Sequence, residues 1–366
     1  MDHGRGTLLA MRREIFRSTP ARALGLLRRA PAVHLATTTP EGAPVLRALD
    51  AAVLEDGVYF HGARAGEKAR CLGRPAVVSS EEVVAHVPSW MIDSRWACPA
   101  STLYRSVQVH GVLAEVTDLD TKARALTALM DRWQPEGRYE PMTAAHPHYR
   151  GQLQGTLVLR VGYDRVDGKD KLLQNRSPEE IVKVLEGLWE RGTPGDPAAI
   201  EAIRAANPGI PEPAFLAAPP ELRPELRLAV ALGEDDAEQA RRLLAGEYWW
   251  QGSPPERIGP VQRDSTAWVG AYDRAGRLVA MARATADGRT AWIHDVVVAP
   301  ELRGRGLGKR LFQLLLDHPA VRTAPAARLT TRDAQAFYRA FGFVDAAERR
   351  RWPEASDMVL VKDHAR

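Results

Sequence analysis

Cysteine is scarce. Cys71 and Cys98 are the only two among 366 residues, too few for a disulfide framework or a structural zinc site built on cysteine. They are expected as reduced thiols. No run approaches the roughly 18 consecutive apolar residues of a membrane-spanning helix. The opening stretch MDHGRGTLLAMRREIF lacks the apolar core and small-residue cleavage site of a secretory signal, so a cytoplasmic location with no membrane partner is expected. A charge excess is also missing: 50 basic against 46 acidic residues leave a net +4. The basic stripe with interleaved aromatics that marks a nucleic-acid surface is absent. The nearest cluster, Arg303, Arg305, Lys309 and Arg310, sits in a glycine-rich turn and suits a small anion. What remains is 45% hydrophobic and 26% charged, a folded composition, at a length that suggests about two domains.

Six prolines between Pro208 and Pro224 exclude both helix and central strand there. The segment 207–224 therefore reads as an extended, semi-rigid linker between residues 1–206 and 225–366. Before it, a helix at 19–30 with Thr19 as cap is followed by short β runs: AVHLATT, PVLRALDAAVL, VYFHG, RPAVVSS, LYRSVQVHGVLAEV and GTLVLRVGYDRV. A helix at 119–133 interrupts them, and the pattern argues for a small antiparallel barrel. After the linker come a strand, ELRLAVAL, a helix at 235–246, and a three-strand meander, AWVGAYD, LVAMARATA and TAWIHDVVVA. Next is a glycine-rich loop with a helix at 306–318 whose apolar face is Leu307, Leu311, Leu314 and Leu315. A strand, ARLTT, and a helix at 333–341 capped by Asp333 complete this half.

The loop Arg303-Gly304-Arg305-Gly306-Leu307-Gly308 leads from strand to helix. Its glycines allow positive φ and close approach of a ligand. The helix start offers unpaired N–H groups and the positive dipole end, which together cradle a pyrophosphate. Arg303 and Lys309 would add charge. Alone, such a loop also fits a structural turn or a mononucleotide site; the antiparallel meander before it argues against a dinucleotide fold. The stretch DVVVAPELRGRGLGKRLFQLLLDHP with RLTTRDAQAFYRAFGF, over about 225–362, resembles the GNAT superfamily of acyl-CoA-dependent N-acyltransferases. The resemblance implies acetyl-CoA as cosubstrate and a small-molecule amine as acceptor. The amides of 303–308 would hold the pyrophosphate, and the backbone of Val296, Val297 and Val298 the pantetheine arm. Tyr338 would protonate the leaving thiolate; the competing reading makes it a core aromatic. His294 and Asp295 should point to opposite faces of their strand, and either could serve as base. Glu247, Tyr248, Trp249 and Trp250, in GEYWWQGSPPERI, are candidates for the acceptor wall.

In the first half, the motifs REI, A-x-V-H-L-A-T, P-x-G-x-P, Y-F-H-G-A-x-x-G-x-K and Y-R-S-V-x-x-x-G occur in order. A K-A-R-A-L helix follows. Over about 10–165 this resembles the FMN-binding split barrel, nearest the nitroimidazole-resistance-type branch of the pyridoxamine 5′-phosphate oxidase superfamily. The segment 167–188 resembles a signature of related FMN-binding regulators. The resemblance implies a homodimer with FMN at the subunit interface. Arg47 and Leu49 would lie by the flavin, with His61, Gly62 and Lys68 at its phosphate. Arg105 and Ser106 would reach across, and Lys171, Gln174 and Asn175 would edge the cleft. Arg47 alone reads equally as part of a solvated barrel face. The strand LRALDAAV and the stretch HVPSWMIDSRWACPAST depart from that branch, which leaves haem open as an alternative, with His34, His61, His86 and His110 as ligands.

The expected class is α+β: an N-terminal antiparallel split β-barrel, FMN-binding, joined to a C-terminal GNAT α/β domain with a mixed, mostly antiparallel sheet. The expected function is bifunctional, an FMN-dependent oxidoreductase-like barrel and an acetyl-CoA-dependent N-acetyltransferase. Two alternatives stand beside it: a flavin- or haem-binding sensor that controls the transferase, or a protein with one half catalytically dead.

Overall fold

The computed structural model of the chain describes residues 14–222, 225–251 and 254–345. Arg13 of the REI motif, residues 252–253 of the aromatic segment, and 346–362 of the GNAT-like stretch lie outside the described residues. Among the described residues no helix is long and apolar enough to cross a membrane.

The first half begins with β1 (Arg17–Ser18) and α1 (Pro20–Arg29). Thr19 accepts from the Arg22 amide and Pro20 occupies the first turn, as expected. There follow β2 (Val33–Thr38), β3 (Pro44–Leu49), β4 (Ala52–Val53), β5 (Gly57–Gly62), α2 (Glu67–Arg70), β6 (Pro75–Val87) and β7 (Ser101–Val116). Then come α3 (Leu119–Trp133), α4 (Pro147–Gly155), β8 (Leu157–Gly162) and β9 (Arg165–Lys171). The strands form one antiparallel sheet, β3-β2-β6-β7-β8-β5-β4, with β9 also on β7 and β1 on β9. Strand β7 closes it: residues 104–110 pair with β9, residues 113–116 with β8. Gly111 sits at the changeover, where a Cβ would lie 2.5 Å from the Gly162 carbonyl; no side chain fits that crossing. Leu35, Phe60, Val78, Val109, Leu113 and Leu159 fill the interior. Helix α3 buries Lys122, which donates to the Leu153 and Thr156 carbonyls at 3.0 and 2.7 Å. The ammonium thus closes the negative end of α4.

The second half contains β10 (Leu226–Ala229), α7 (Ala237–Leu244), α8 (Ile258–Arg263), β11 (Ala267–Asp273), β12 (Leu278–Ala286) and β13 (Thr290–Val298). It continues with α9 (Leu307–Leu316), α10 (Pro319–Arg322), β14 (Ala326–Arg328) and α11 (Gln335–Arg339). The sheet order is β10-β11-β12-β13-β14, antiparallel except for the β13–β14 pair. Helix α9 covers one face with Leu307, Leu311, Phe312, Leu314 and Leu315. On the other face α7 and α8 bury Ala240, Leu244 and Ile258 against Trp268 and Met281.

Two helices, α5 (Pro178–Arg191) and α6 (Asp196–Ala206), stand between the sheets. Ser177 and Glu180 form a reciprocal capping box at the start of α5. A single apolar core runs from Val87, Met91 and Leu103 of the barrel through Leu185, Leu188 and Ile200 to Leu311 and Leu315 of α9. The proline-rich segment belongs to that core and is not an extended strap. It winds through two short 3-10 turns, with Leu216, Ala218 and Leu222 buried. Phe215 stacks on Trp189 at 4.7 Å, and Arg310 of α9 donates to the carbonyls of Phe215 and Ala217. Prolines forbid ladder hydrogen bonds, but the apolar residues between them are still driven out of water. Beside this joint His318 is 3% exposed, edge-on to Trp189. Burial, then the charge of Arg322, pushes its pKa down to about 4.

Candidate functional site

The loop before α9 has the conformation its glycines permit. Gly304 and Gly306 lie at φ +74 and +82, and nothing stands within 4 Å of where a Cβ would project. Leu307 is buried, while residues 303–306 are exposed. Among the described residues, the amides of 304–309 donate to no protein acceptor; the first bond of the helix is Arg310 N to Gly306 O. Six successive N–H groups at a helix start, two of them beside bare glycine, are thus free to donate to an anion. Arg305 and Lys309 are exposed beside it. Arg303, expected on the anion, is turned elsewhere: it donates to the Val298 carbonyl at 2.9 Å and to Glu247 at 3.1 Å.

The parallel strand β14 pairs with β13 only over Thr290–Trp292. Beyond that the strands part. Val296, Val297 and Val298 keep β12 on one side and have no strand on the other among the described residues. That edge can accept the amide-bearing arm of a ligand whose phosphates sit on the loop.

Between the two pairing registers β13 carries a bulge. Met281 faces Val297 and Arg283 faces His294, so Ala282 opposes two residues. Asp295 sits there at φ +51, an uncommon conformation for a residue with a side chain. Its carboxylate holds the bend. Oδ1 accepts from the indole N–H groups of Trp249 (3.0 Å) and Trp250 (2.9 Å); Oδ2 accepts from Gln262 (3.0 Å) and Arg283 (2.6 Å). Asp295 and Arg283 are 8% and 7% exposed. Each oxygen already receives two donors, so the carboxylate has no lone pair to spare for an amine's proton. This departs from the expectation that Asp295 could act as base. The expected difference between His294 and Asp295 persists in burial: along β13 His294 is half-buried and Asp295 buried. Burial, then Arg283, lowers the pKa of His294, so its ring is neutral at pH 7, near Thr285 Oγ1 at 3.3 Å.

Tyr338 lies on α11 against Phe312, with centroids 5.2 Å apart. Phe312 also gathers Phe337, Phe341 and Phe343, so Tyr338 shares the aromatic packing. Its hydroxyl has no hydrogen bond among the described residues. Burial, with Tyr248 and Asp333 nearby, pushes the phenol up to about 12, which keeps its proton at neutral pH. Asp333 is not the cap of α11. Ala334 takes that place, its amide held by Thr331 Oγ1, and Asp333 instead accepts from the Tyr248 hydroxyl at 3.4 Å. The turn Tyr248–Trp250 is thereby tied to both β13 and the start of α11.

In the barrel, Arg47 on β3 pairs with Glu67 and donates to the Leu46 carbonyl. Leu49 is half-buried and His61 is exposed at the end of β5. A Cβ at Gly62 would meet the Lys68 ammonium at 3.4 Å, and Lys68 has no ion pair among the described residues. A second group lies on β7 and β9. Arg105 pairs with Glu82 at 3.3 Å while its Nε is buried without a partner. Ser106 is half-buried, and Lys171 donates to Ser101 at 2.8 Å beneath the Tyr104 ring. Gln174 is spent on its own loop, through the Leu172 amide and the Asp170 carbonyl; Asn175 is exposed. No hydrogen bond or ion pair joins the two groups among the described residues. Of the four histidines considered as haem ligands, His34 is half-buried, His86 bonds Thr102, and His110 sits between Arg165 and Asp167. His61 alone of the four is exposed without a partner among the described residues. No group of three or more metal-ligating side chains occurs among the described residues.

Sequence reasoning missed Glu67, Glu82 and Tyr104 as partners of its candidate cations, and Arg283 and Gln262 as partners of Asp295. Each partner lies on another element, so the pairing leaves no local signal in the sequence.

Residues 19–170 match the family model for pyridoxamine 5′-phosphate oxidase, and residues 232–343 the model for the acetyltransferase (GNAT) family. The chain is 41% identical over 108 residues to the uncharacterized N-acetyltransferase ycf52 of Porphyra purpurea, across 28% of this chain and 61% of that protein. It is 40% identical over 83 residues to the chloroplastic GCN5-related N-acetyltransferase 1 of Arabidopsis thaliana, across 22% and 42%. The chain thus spans less than two thirds of these relatives. The solved structure of the FAD and heme binding protein from Mycobacterium smegmatis is similar at 25% identity and a TM-score of 0.37, across 43% of this chain and 74% of that one. The chain joins a pyridoxamine 5′-phosphate oxidase-like split-barrel domain to a domain of the GNAT acetyltransferase family.

Proposed function

We propose that the second half transfers the acetyl group of acetyl-CoA to the amine of a small molecule. The observation that carries this reading is the row of unspent amides at 304–309, shaped for a pyrophosphate beside the open edge of Val296–Val298. In this reading His294, neutral at pH 7, takes the proton of the acceptor nitrogen as that nitrogen attacks the acetyl carbonyl. Tyr338 then gives its proton to the sulfur as the C–S bond breaks, so that amide and free thiol leave with protons balanced. Tyr338→Phe keeps the ring packing and removes the proton. We expect kcat to fall about 10²-fold, within the usual range for a general acid, with acetyl-CoA affinity and melting temperature unchanged. Unchanged turnover with several amines would remove Tyr338 from the reaction.

For the barrel, the reading is an FMN site completed by a second copy of the chain, in a cytoplasmic homodimer. Lys68 beside the bare Gly62 suits a phosphate, and the unpartnered Nε of Arg105 suits a polar ligand group. When bound, the flavin would supply hydride transfer; Lys68 and His61 would hold its phosphate end, Arg47 and Leu49 would lie by the flavin, and Arg105 with Ser106 would face it from the other strand pair. The core continuous between barrel and transferase favours a second role, in which the barrel's occupant controls acetylation. Native protein should carry visible flavin absorbance, with FMN mass released on denaturation. A haem spectrum would transfer the site to His61, and a colourless protein that gains nothing from added FMN would remove the flavin reading.

A further inference from the structure

The aromatic turn Tyr248–Trp250 has a property that lining a cleft does not require. Trp249 is 39% exposed, yet its orientation is fixed. Its indole N–H is bonded to the buried Asp295 carboxylate, and its ring meets Tyr248 edge-on at 5.0 Å and 88°. Tyr248 is itself held by the Arg332 guanidinium, 3.6 Å from its centroid. An exposed tryptophan on a three-residue turn would otherwise sample several rotamers. Here a desolvated carboxylate–guanidinium pair, expensive to bury, is placed at a strained position of β13 and spends one bond on each indole. The result is a rigid, flat apolar surface one hydrogen bond away from the strand that carries His294 and Val296. A preset aromatic surface binds flat apolar groups without the entropy cost of ordering itself. Charge recognition is weak at the same place: Glu247 is paired with Arg303 and Asp333 with Arg332. A second ammonium on the acceptor would compete with an arginine for either carboxylate.

We propose that Trp249 determines acceptor specificity, selecting amines carried on an aromatic body over aliphatic amines and polyamines, and that Asp295 is the positioning residue that presents it. This rests on the acetyltransferase reading.

The full chain is assayed with acetyl-CoA and three acceptors: 2-phenylethylamine, propylamine and spermidine. The wild type is expected to favour 2-phenylethylamine in kcat/KM by about tenfold or more, the scale of one good aromatic contact with its buried area. Trp249→Ala should raise KM for 2-phenylethylamine about tenfold and leave kcat, the KM for acetyl-CoA, and propylamine turnover within twofold. Trp249→Phe should recover part of the loss. Asp295→Asn, nearly isosteric, should reproduce the KM defect of Trp249→Ala with its acceptor selectivity. Equal effects of Trp249→Ala on all three acceptors, no effect on any, or a wild-type preference for propylamine or spermidine would overturn the proposal while leaving an acetyltransferase. No acetylation of any amine, with no thermal stabilisation by acetyl-CoA, would instead overturn the acetyltransferase reading and this proposal with it.

Discussion

Gly306→Val should weaken acetyl-CoA binding about a hundredfold while leaving the fold standing. Gly306 is exposed, at φ +82, and forms the N-terminal cap of α9. Nothing lies within 4 Å of its missing Cβ, so a larger side chain meets no protein atom there. The cost is conformational: a left-handed β-branched residue is strained by about 1–2 kcal/mol. The strain is relieved by turning the peptide planes on either side, which are those that aim the 304–309 amides at a phosphate. Hydrogen bonds to a charged group contribute about 1.5–3 kcal/mol each; two of the weaker kind correspond to about a hundredfold. Calorimetric titration with acetyl-CoA reads the affinity directly. Ligand-induced thermal stabilisation should shrink in step, because it follows the ratio of ligand concentration to Kd. Gly288→Val is the control. That glycine has the same φ of +82 and an equally open Cβ position, but lies in the turn between β12 and β13. It should lose comparable stability and no affinity. Equal affinity in wild type and Gly306→Val would make the loop a structural turn.

The contrast between these two glycines shows what the sequence can disclose. Elements whose cause is local were legible. Helix α3 appears at 119–133 as read, because Asp118 caps it through the Thr121 amide and its apolar residues recur on one face. The meander β11–β13 appears where the apolar runs and the glycine turns at Gly276 and Gly288 between them placed it. The backbone of the glycine-rich loop, with positive φ at Gly304 and Gly306 and unspent amides, was legible because glycine spacing is its main requirement. Features made by distant residues were not. The bulge at Asp295 arises from a register mismatch with β12, and no residue near it in sequence announces an extra position. The proline-rich segment was misread because local rules describe its hydrogen bonding and not its burial, which depends on Trp189 and Arg310 from elements far away. Arg303 was assigned by its proximity to the loop, while its guanidinium is claimed by Glu247, 56 residues earlier.

Trp189→Ala should uncouple the two halves. Trp189 belongs to α5, ahead of the proline-rich segment, but its neighbours come from beyond it: Phe215 stacked at 4.7 Å, His318 edge-on at 5.8 Å, and Arg322 at 5.6 Å, which also donates to the Trp189 carbonyl. Truncating a buried aromatic costs about 3–5 kcal/mol. Here the loss falls on the joint, so it should cost cooperativity as well as stability. The wild type is expected to unfold in one transition, and acetyl-CoA should raise the midpoint even for a probe in the barrel. In Trp189→Ala the transition should divide, with acetyl-CoA moving only the later half of the chain. Two independent transitions in the wild type would show that the continuous core does not couple them. Acid should weaken the same joint. Folded His318 has a pKa of about 4, against about 6.5 when exposed, so only the unfolded chain takes the proton between those values. Its contribution is therefore complete above pH 6.5 and is lost as pH falls toward 4, by about 3 kcal/mol in all. His318→Asn keeps an acceptor for the Ala320 amide that Nδ1 now receives and cannot titrate. Its stability should fall less steeply than the wild type between pH 6.5 and 4. Parallel profiles over that interval would mean that the imidazole is protonated inside the folded joint, and the acid sensitivity would then belong to other groups.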